Sequence, residues 1–521
     1  MVNSFSRFSA SRSPARNRRQ PAARASLLPR ARQTASARAA LRVAVTAAAL
    51  ALTGCASLLI APGTDLSQVA VPAAWSNGIA APSAATLAEW WQRFNDPQLT
   101  ALVTQALQAN NDVRTAQAAL RQSRAQRDVA AAGLLPTVNA AAAAQRGKSG
   151  GNAPVNAYQA GFDASWEPDI FGGQRAGVAA AEADTGAVAV SLANIQVSIA
   201  AEVAAAYMDL CTLELRLAIA RDNLASQGET LQIAEWRAQA GLTTSLDVEQ
   251  ARTSTELTRA QIPALESSLA QVRSSLAILT GVTPEAMQAS LRVPAAVPTT
   301  DEDLAYAVPA ETLRQRPDVR QAEYRVSAAA SRVTQADAAR YPSFRLSGTL
   351  GVSSRTFADL TGSNALLAAL LGSVSIPIFD GGALTAQVRA QEAALDQARI
   401  AYEAVVLSAL KEVEDALISL STSRQRLLTL RRAAEAARNA ALLARFRYNS
   451  GLIDFQSVLQ TQVTLLSVED SVANAQAAVG VAHVHLYKAL GGGWQPESAA
   501  LISPDVHGRA APPAHWAKAH S

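Results

Sequence analysis

Few residues in this chain are of a type that does covalent or acid–base chemistry, and their spacing scatters them. His483 and His485 lie two apart on a helical pattern, which turns them about 200° from each other and leaves no metal-binding pair. His507, His515 and His520 fall in a Pro- and Ala-rich tail that reads as unstructured. Cys211 stands alone inside a helical stretch and reads as a small buried apolar residue. Gly491-Gly492-Gly493 follows a helical pattern instead of preceding one, so it is a stop and not a phosphate loop. No Ser-x-x-Lys, His-Glu-x-x-His or nucleophile-elbow motif occurs in the body of the chain. No enzyme, no metal and no cofactor is expected.

Cys55 differs from Cys211. Residues 1–54 hold ten Arg and no acid, residues 43–52 are apolar, and Leu52-Thr53-Gly54-Cys55 follows. A basic segment, a short apolar run and small residues before a cut describe a secretory signal. The last four residues resemble a bacterial lipobox. That implies a thioether from Cys55 to diacylglycerol, and Ala56 in place of Asp after it implies the outer membrane. Removing residues 1–54 takes ten of the 46 basic residues, leaving 36 against 42 acidic, a net −6. No nucleic-acid partner is expected of such a chain.

The remaining chemistry is that of polar contacts that can be made and broken, and it sits in a motif written twice. Residues 237–250 read RAQAGLTTSLDVEQ and residues 447–460 read RYNSGLIDFQSVLQ. Arg237 aligns with Arg447, Gly241-Leu242 with Gly451-Leu452, Val248 with Val458 and Gln250 with Gln460. Each copy ends one long helical pattern, turns at a Gly that tolerates φ > 0, and begins another.

The elements that carry these tips are duplicated too. Asp112-Val113 matches Asp318-Val319 at an offset of 206, Gly172-Gly173 matches Gly381-Gly382 at 209, and Glu202-Val203 matches Glu412-Val413 at 210. One composite body built from two similar halves is expected. It divides into a signal peptide (1–54), a lipidated tether (55–88), repeat 1 (89–300), repeat 2 (301–492) and a disordered C-terminal tail (493–521).

Within each half the period changes. Asp96 and Pro97 open a helix whose apolar spacing continues through Arg124 and stops near Gly133 and Pro136. Tyr158, Ala160, Phe162, Ala164 and Trp166 then alternate with polar or small residues, as a strand does. Residues 137–144 form its weaker, Ala-rich partner. In the second half Phe344, Leu346, Gly348, Leu350 and Val352 alternate likewise, and Val374, Ile376 and Ile378 mark a fourth strand. Residues 360–379 are uncharged, but Gly, Ser, Asn and Pro interrupt them, so they read as a strand slot and not as a membrane helix. The strands have the length that crosses an outer membrane when tilted.

Very long helical patterns follow each hairpin, over 174–240 and 383–450, each reaching about 100 Å. Val203, Ala206, Leu210, Leu213 and Leu217 keep coiled-coil spacing, as do Val406, Leu410, Val413, Leu417 and Leu420. Return helices run over 245–279 and 454–490, and Pro263 is expected to kink the first. Four strands cannot close a barrel and an open edge cannot sit in lipid, so several chains must pool their strands. Eight strands would be filled by side chains, whereas twelve leave a bore.

These features resemble the outer membrane factor family of TolC-like export ducts, in its NodT-type lipidated branch. The carrying stretches are Trp90-Trp91-x-x-Phe94-x-Asp96-Pro97-x-Leu99, Asn111-Asp112 through Leu135-Pro136, Arg316-Pro317-Asp318-Val319-Arg320 through Tyr341-Pro342, Phe379-Asp380-Gly381-Gly382 and the two tips. The resemblance implies an α+β fold: a membrane β-barrel of four strands per chain, twelve in a homotrimer, continuing into an α-helical barrel across the periplasm. It implies docking onto a membrane fusion (adaptor) protein and an inner-membrane pump, commonly of the proton-driven resistance-nodulation-division class. Its role would be the outer membrane channel of a tripartite efflux system.

By the same resemblance Gly241, Leu242, Thr243 and Ser245, with Gly451, Leu452 and Ile453, form the periplasmic tips that bind adaptor hairpins. Arg447, Tyr448, Asp454 and Asp247 are candidates for the pairs that close the duct. The aspartates that many relatives carry after the second tip are here Ser457 and Gln460, a departure that leaves Asp454 and Asp247 as the nearest carboxylates. Asp454 and Ser245 also suit helix N-caps. The alternative reading is a structural coiled-coil outer membrane lipoprotein without transport activity, which would need no hinge Gly at matched tips.

Overall fold

A computed structural model describes residues 87–148, 150, 153–292, 296–300 and 310–494. Leu52, Thr53, Gly54 and Cys55 lie outside the described residues, as do nearly all of the tether and the tail. A single 3-10 turn, Trp90–Phe94, leads into α1 (Pro97–Ala109) and α2 (Asn111–Ala132). Strands β1 (Thr137–Gly147) and β2 (Val155–Trp166) follow, then α3 (Gly173–Gln239), α4 (Ser245–Thr280) and the short α5 (Pro284–Ser290). The second half repeats the order with α6 (Pro317–Ala338), β3 (Ser343–Ser354), β4 (Leu366–Ser375), α7 (Ala383–Asn449) and α8 (Phe455–Ala489).

The helical pattern read as continuous from Leu99 to Arg124 is in fact two helices. Asn110 breaks it: its side-chain oxygen accepts from the backbone N–H of Asp112 and Val113, the capping use that competes with helix interior. Upstream, Asp96 caps α1 and also accepts from the Tyr207 hydroxyl of α3 at 2.8 Å. Trp90 is fully buried and stacks on Tyr487 of α8, 5.3 Å between centroids. At the far end Gly493 donates to the Leu87 carbonyl, and Arg320 lies 5.9 Å from the Trp494 ring.

The four strands form one antiparallel meander, β1-β2-β3-β4. Register places Phe162 opposite Leu350 and Val374 opposite Phe344 on one face, while Asp163 and Thr349 hydrogen-bond across the other at 3.0 Å. Gly161 and Gly351 face one another so closely that a Cβ on either would lie 2.8 Å from the other's Cα. The fourth strand sits earlier than its alternation suggested. Ile376 and Ile378 fall beyond β4, whose residues Leu366–Ser375 are apolar on both faces and so carry no period-two signal. Both outer strands, β1 and β4, are exposed along their whole length.

Helices α3 and α7 are 67 residues each, uninterrupted by Pro, and reach about 100 Å. The expected seam is present: Val203, Leu210 and Leu217 are buried on α3, and Val406, Val413, Leu417 and Leu420 on α7. Helix α3 also contains a stretch apolar enough to cross a membrane, but 56% of it is buried against protein. It packs on α2, α4, α6 and α8, so it is a core helix. Helix α4 runs through Pro263 without interruption. Cys211 is buried on α3, and burial pushes its thiol pKa up to about 12. His483 is buried, with Nδ1 2.8 Å from the Val479 carbonyl, while His485 on the other side of α8 is exposed.

Candidate functional site at the two helical tips

Both tips are built by the same backbone device. At the end of α3, Gly241 adopts φ +72 and the Leu242 N–H closes back on the Arg237 carbonyl at 2.8 Å. At the end of α7, Gly451 adopts φ +70 and the Leu452 N–H closes on the Arg447 carbonyl, also at 2.8 Å. This pattern ends a helix with a left-handed residue, which glycine adopts without a Cβ penalty. It projects Leu242 and Leu452 outward, 76% and 74% exposed.

The helices that leave the tips are capped differently. Thr244, and not Ser245, is the N-cap of α4; Ser245 is its first helical residue. Asp247 accepts from the Thr244 N–H at 3.1 Å, from the Thr244 hydroxyl at 2.9 Å and from the Thr243 hydroxyl at 2.6 Å. The Thr243 hydroxyl bond is the main cause that holds the Asp247 carboxyl below its usual range. Asp454 is the N-cap of α8, accepting from the Ser457 N–H at 2.8 Å, and its hydrogen bonding to Ser457 lowers its pKa. Both carboxylates are thus spent on their own turns.

The two tips share one small core. Ala234 of α3, Val248 and Ala251 of α4, and Ala444, Tyr448, Phe455, Val458 and Leu459 of the second hairpin pack together, with Ile453 partly buried against them. Arg237 crosses from the first hairpin to the second. Its guanidinium lies 4.3 Å above the Tyr448 ring and 3.4 Å from the Tyr448 and Asn449 carbonyls. Tyr448 in turn packs on Phe455, 5.2 Å between rings, and its buried hydroxyl has no hydrogen-bond partner among the described residues. Arg447, the counterpart of Arg237, is exposed.

Other polar links join the hairpins along their length: Arg445 to Glu229 at 2.9 Å, Gln462 to Thr230 at 2.8 Å, Asn223 to Glu469 at 3.3 Å and Arg216 to Asp470 at 2.6 Å. The two ion pairs are solvent-accessible and individually weak, whereas the Gln462–Thr230 bond is buried. Sequence reasoning singled out Arg447, Tyr448, Asp454 and Asp247, and it passed over Arg237 and Arg445. The only signal that could have found Arg237 is its alignment with Arg447 across the repeat.

The model of the outer membrane efflux protein family matches residues 102–282 and 308–492. Over 463 residues the chain is 31% identical to the pyoverdine export outer membrane protein OpmQ of Pseudomonas aeruginosa, covering 83% of this chain and 96% of OpmQ. It is 28% identical to the probable outer membrane lipoprotein SilC of Salmonella typhimurium, over 78% of this chain and 88% of SilC. Among solved structures it is similar to the outer-membrane channel OprN, with a TM-score of 0.75 and 34% identity over 84% of this chain and all of that one. That is a family of channels and not of enzymes. The chain belongs to the outer membrane efflux protein family, as the outer membrane channel component of an efflux system.

Proposed function

We propose that three copies of this chain close a twelve-stranded barrel by pairing β4 of each with β1 of the next. The support is the pair of exposed sheet edges on strands of ten and eleven residues, long enough to cross an outer membrane. The long helices then continue as a periplasmic barrel whose lower end is formed by the tips. A diacylglyceryl Cys55 adds an anchor in the same membrane, by the lipobox reading and in keeping with the name of SilC. Residues 89–300 and 301–492 act as the two repeats of each subunit.

The tips are the docking and closing end. Leu242 and Leu452 offer exposed apolar knobs to the hairpins of a membrane fusion protein, which links the channel to an inner-membrane pump of the proton-driven class. Arg237, seated on Tyr448, latches the first hairpin to the second. The observation that carries this reading is that one shared tip core is held by contacts between hairpins, while Asp247 and Asp454 only cap their own helices.

Single-channel recording of purified protein in planar bilayers, beside crosslinking of the same sample, tests the proposal. A crosslinked trimer with a small current that rises in Arg237→Ala is the expected outcome. A protein that crosslinks as a monomer and forms no pore overturns it.

A further inference from the structure

The first hairpin, α3 with α4, carries a buried polar layer that the second lacks. On α3 the apolar core stops at Leu217 and Ala220 and resumes at Ala234; on α4 it stops at Ala251 and resumes at Leu269. The side chains buried outright between those limits are Asn223, Gln227 and Thr230 on α3, and Thr255 and Thr258 on α4. Three ion pairs fix how the two helices lie side by side: Glu235 with Arg252, Arg221 with Glu266, and Glu214 with Arg273. Each step along α3 is matched by an equal step back along α4, which sets Thr255 level with Gln232 and Thr258 level with Glu229. The five side chains therefore form one layer. Gln462 of α8 joins it through its 2.8 Å bond to Thr230.

The layer is not satisfied internally. Gln227 is 3% exposed, and neither atom of its amide finds a hydrogen-bond partner among the described residues. Oε1 of Gln462 finds none either. Both helices are also weakened at this level. Pro263, level with Leu224, has no N–H for the Arg259 carbonyl one turn earlier. Gly228 is a poor helix residue, and no neighbour comes within 4 Å of where its Cβ would stand. The duplicate hairpin shows what these residues replace. At the offset of 210, Gln227 falls on Ala437, Thr230 on Ala440, Thr255 on Leu465, Thr258 on Val468 and Pro263 on Ala473. The flanks match, Leu217 with Leu427 and Ala234 with Ala444, and all four are buried.

We propose that this layer is a joint, at which the first hairpin bends and takes up water when the tips open, and that the second hairpin has none. The proposal rests on the reading of the tips as the closing end. An apolar layer resists parting because water offers its side chains nothing, whereas the amide of Gln227 gains partners as soon as water reaches it. Pro263 lets α4 bend there with one fewer ladder bond to break. The latch at Arg237 and Tyr448 lies on the tip side of the joint, so releasing it frees the segment that the joint lets swing.

The test is hydrogen exchange on the full-length protein in detergent, read over residues 223–232 and 255–263 and over their counterparts 433–442 and 465–473. The layer should exchange about tenfold or more faster than its counterpart, as an unmet buried amide and a missing ladder bond allow. Gln227→Met, which fills the same space without polar atoms, should slow that exchange toward the rate of the second hairpin. Gly228→Ala/Pro263→Ala should do the same by restoring the helices, and it decides should the first variant fail to fold. In planar bilayers, Gln227→Met added to Arg237→Ala should bring the raised current back down. Equal exchange in the two hairpins, or exchange that both variants leave unchanged, overturns the joint. Slowed exchange with an undiminished Arg237→Ala current overturns its part in opening. An Arg237→Ala channel that never rises defeats the latch reading alone, and exchange still decides the joint.

Discussion

The guanidinium of Arg237 lies 4.3 Å above the ring of Tyr448, and that contact joins two helical hairpins whose residues are 211 positions apart. A cation over an aromatic face contributes about 0.5–2 kcal/mol, depending on how dry it is. Replacing Arg237 with Ala should therefore loosen the tips and raise the closed-state current. Arg237→Lys should do so less, because lysine keeps the charge and loses the planar fork. Single-channel recordings on the three proteins give the order directly.

Tyr448→Phe makes the opposite prediction. The hydroxyl it removes is buried with no hydrogen-bond partner among the described residues, so its loss should cost nothing and relieve an unmet group. The ring, and with it the seat for Arg237, stays. Current and thermal midpoint should match or exceed those of the unaltered chain; a leaky Tyr448→Phe channel would show that the hydroxyl has a partner in the assembly.

Leu242 and Leu452 stand outside every core, so Asp at either position should leave folding and insertion intact. If they seat an adaptor, the double variant inserts normally and forms pores but fails to support export in cells. Normal export by Leu242→Asp/Leu452→Asp would remove these leucines from the docking surface.

The cap at Asp247 should respond to acid. Its carboxyl is held below the usual range by the bonds from Thr243 and Thr244, so its contribution is complete above about pH 3.9, the ordinary aspartate value, and is lost as pH falls through the lowered one. Hydrogen exchange at the start of α4 should show no change from this source between pH 7 and 5 and accelerate in stronger acid. Asp247→Asn should be faster at pH 7 and 5, by about 1 kcal/mol for the lost capping-box bond, and the difference should vanish in stronger acid.

Gly351→Val should abolish the sheet. A Cβ there would lie 2.5 Å from the Ala160 carbonyl oxygen and 2.8 Å from the Gly161 Cα, and both obstacles are backbone. Loss of membrane-inserted protein, with the helices still formed by circular dichroism, is the expected result.

What could be read from residues alone was whatever is local or repeated. The bounds of α3 and α7 fall within one residue of the sequence reading, because a 67-residue run without Pro that ends at Gly241 or Gly451 leaves no other choice. The break at Asn110 was missed because asparagine in an apolar-spaced run looks like a surface helical residue until its side chain is seen turned onto Asp112 and Val113. β4 was displaced because alternation cannot locate a strand that is apolar on both faces. Arg237 was missed for a different reason: its partner belongs to the other repeat, and no spacing in either tip encodes that contact. The cap at Asp454 was legible as a cap, whereas Thr244 took the place given to Ser245, and Asp247, read only as a gate candidate, is the partner of that cap.

The two-faced strand has a consequence for the life of a single copy. Leu367 and Leu371 share a face with Thr349, and Leu366, Leu370 and Val374 share the other with Leu350, so neither side of β4 prefers water. Until it pairs with a neighbour, a single copy holds that strand on an unpaired edge, which is the composition and placement of an aggregation nucleus. Time spent alone is then the hazard, and it grows as subunits become too dilute to meet or too numerous for whatever shields them. The yield of working channels should peak at an intermediate rate of synthesis.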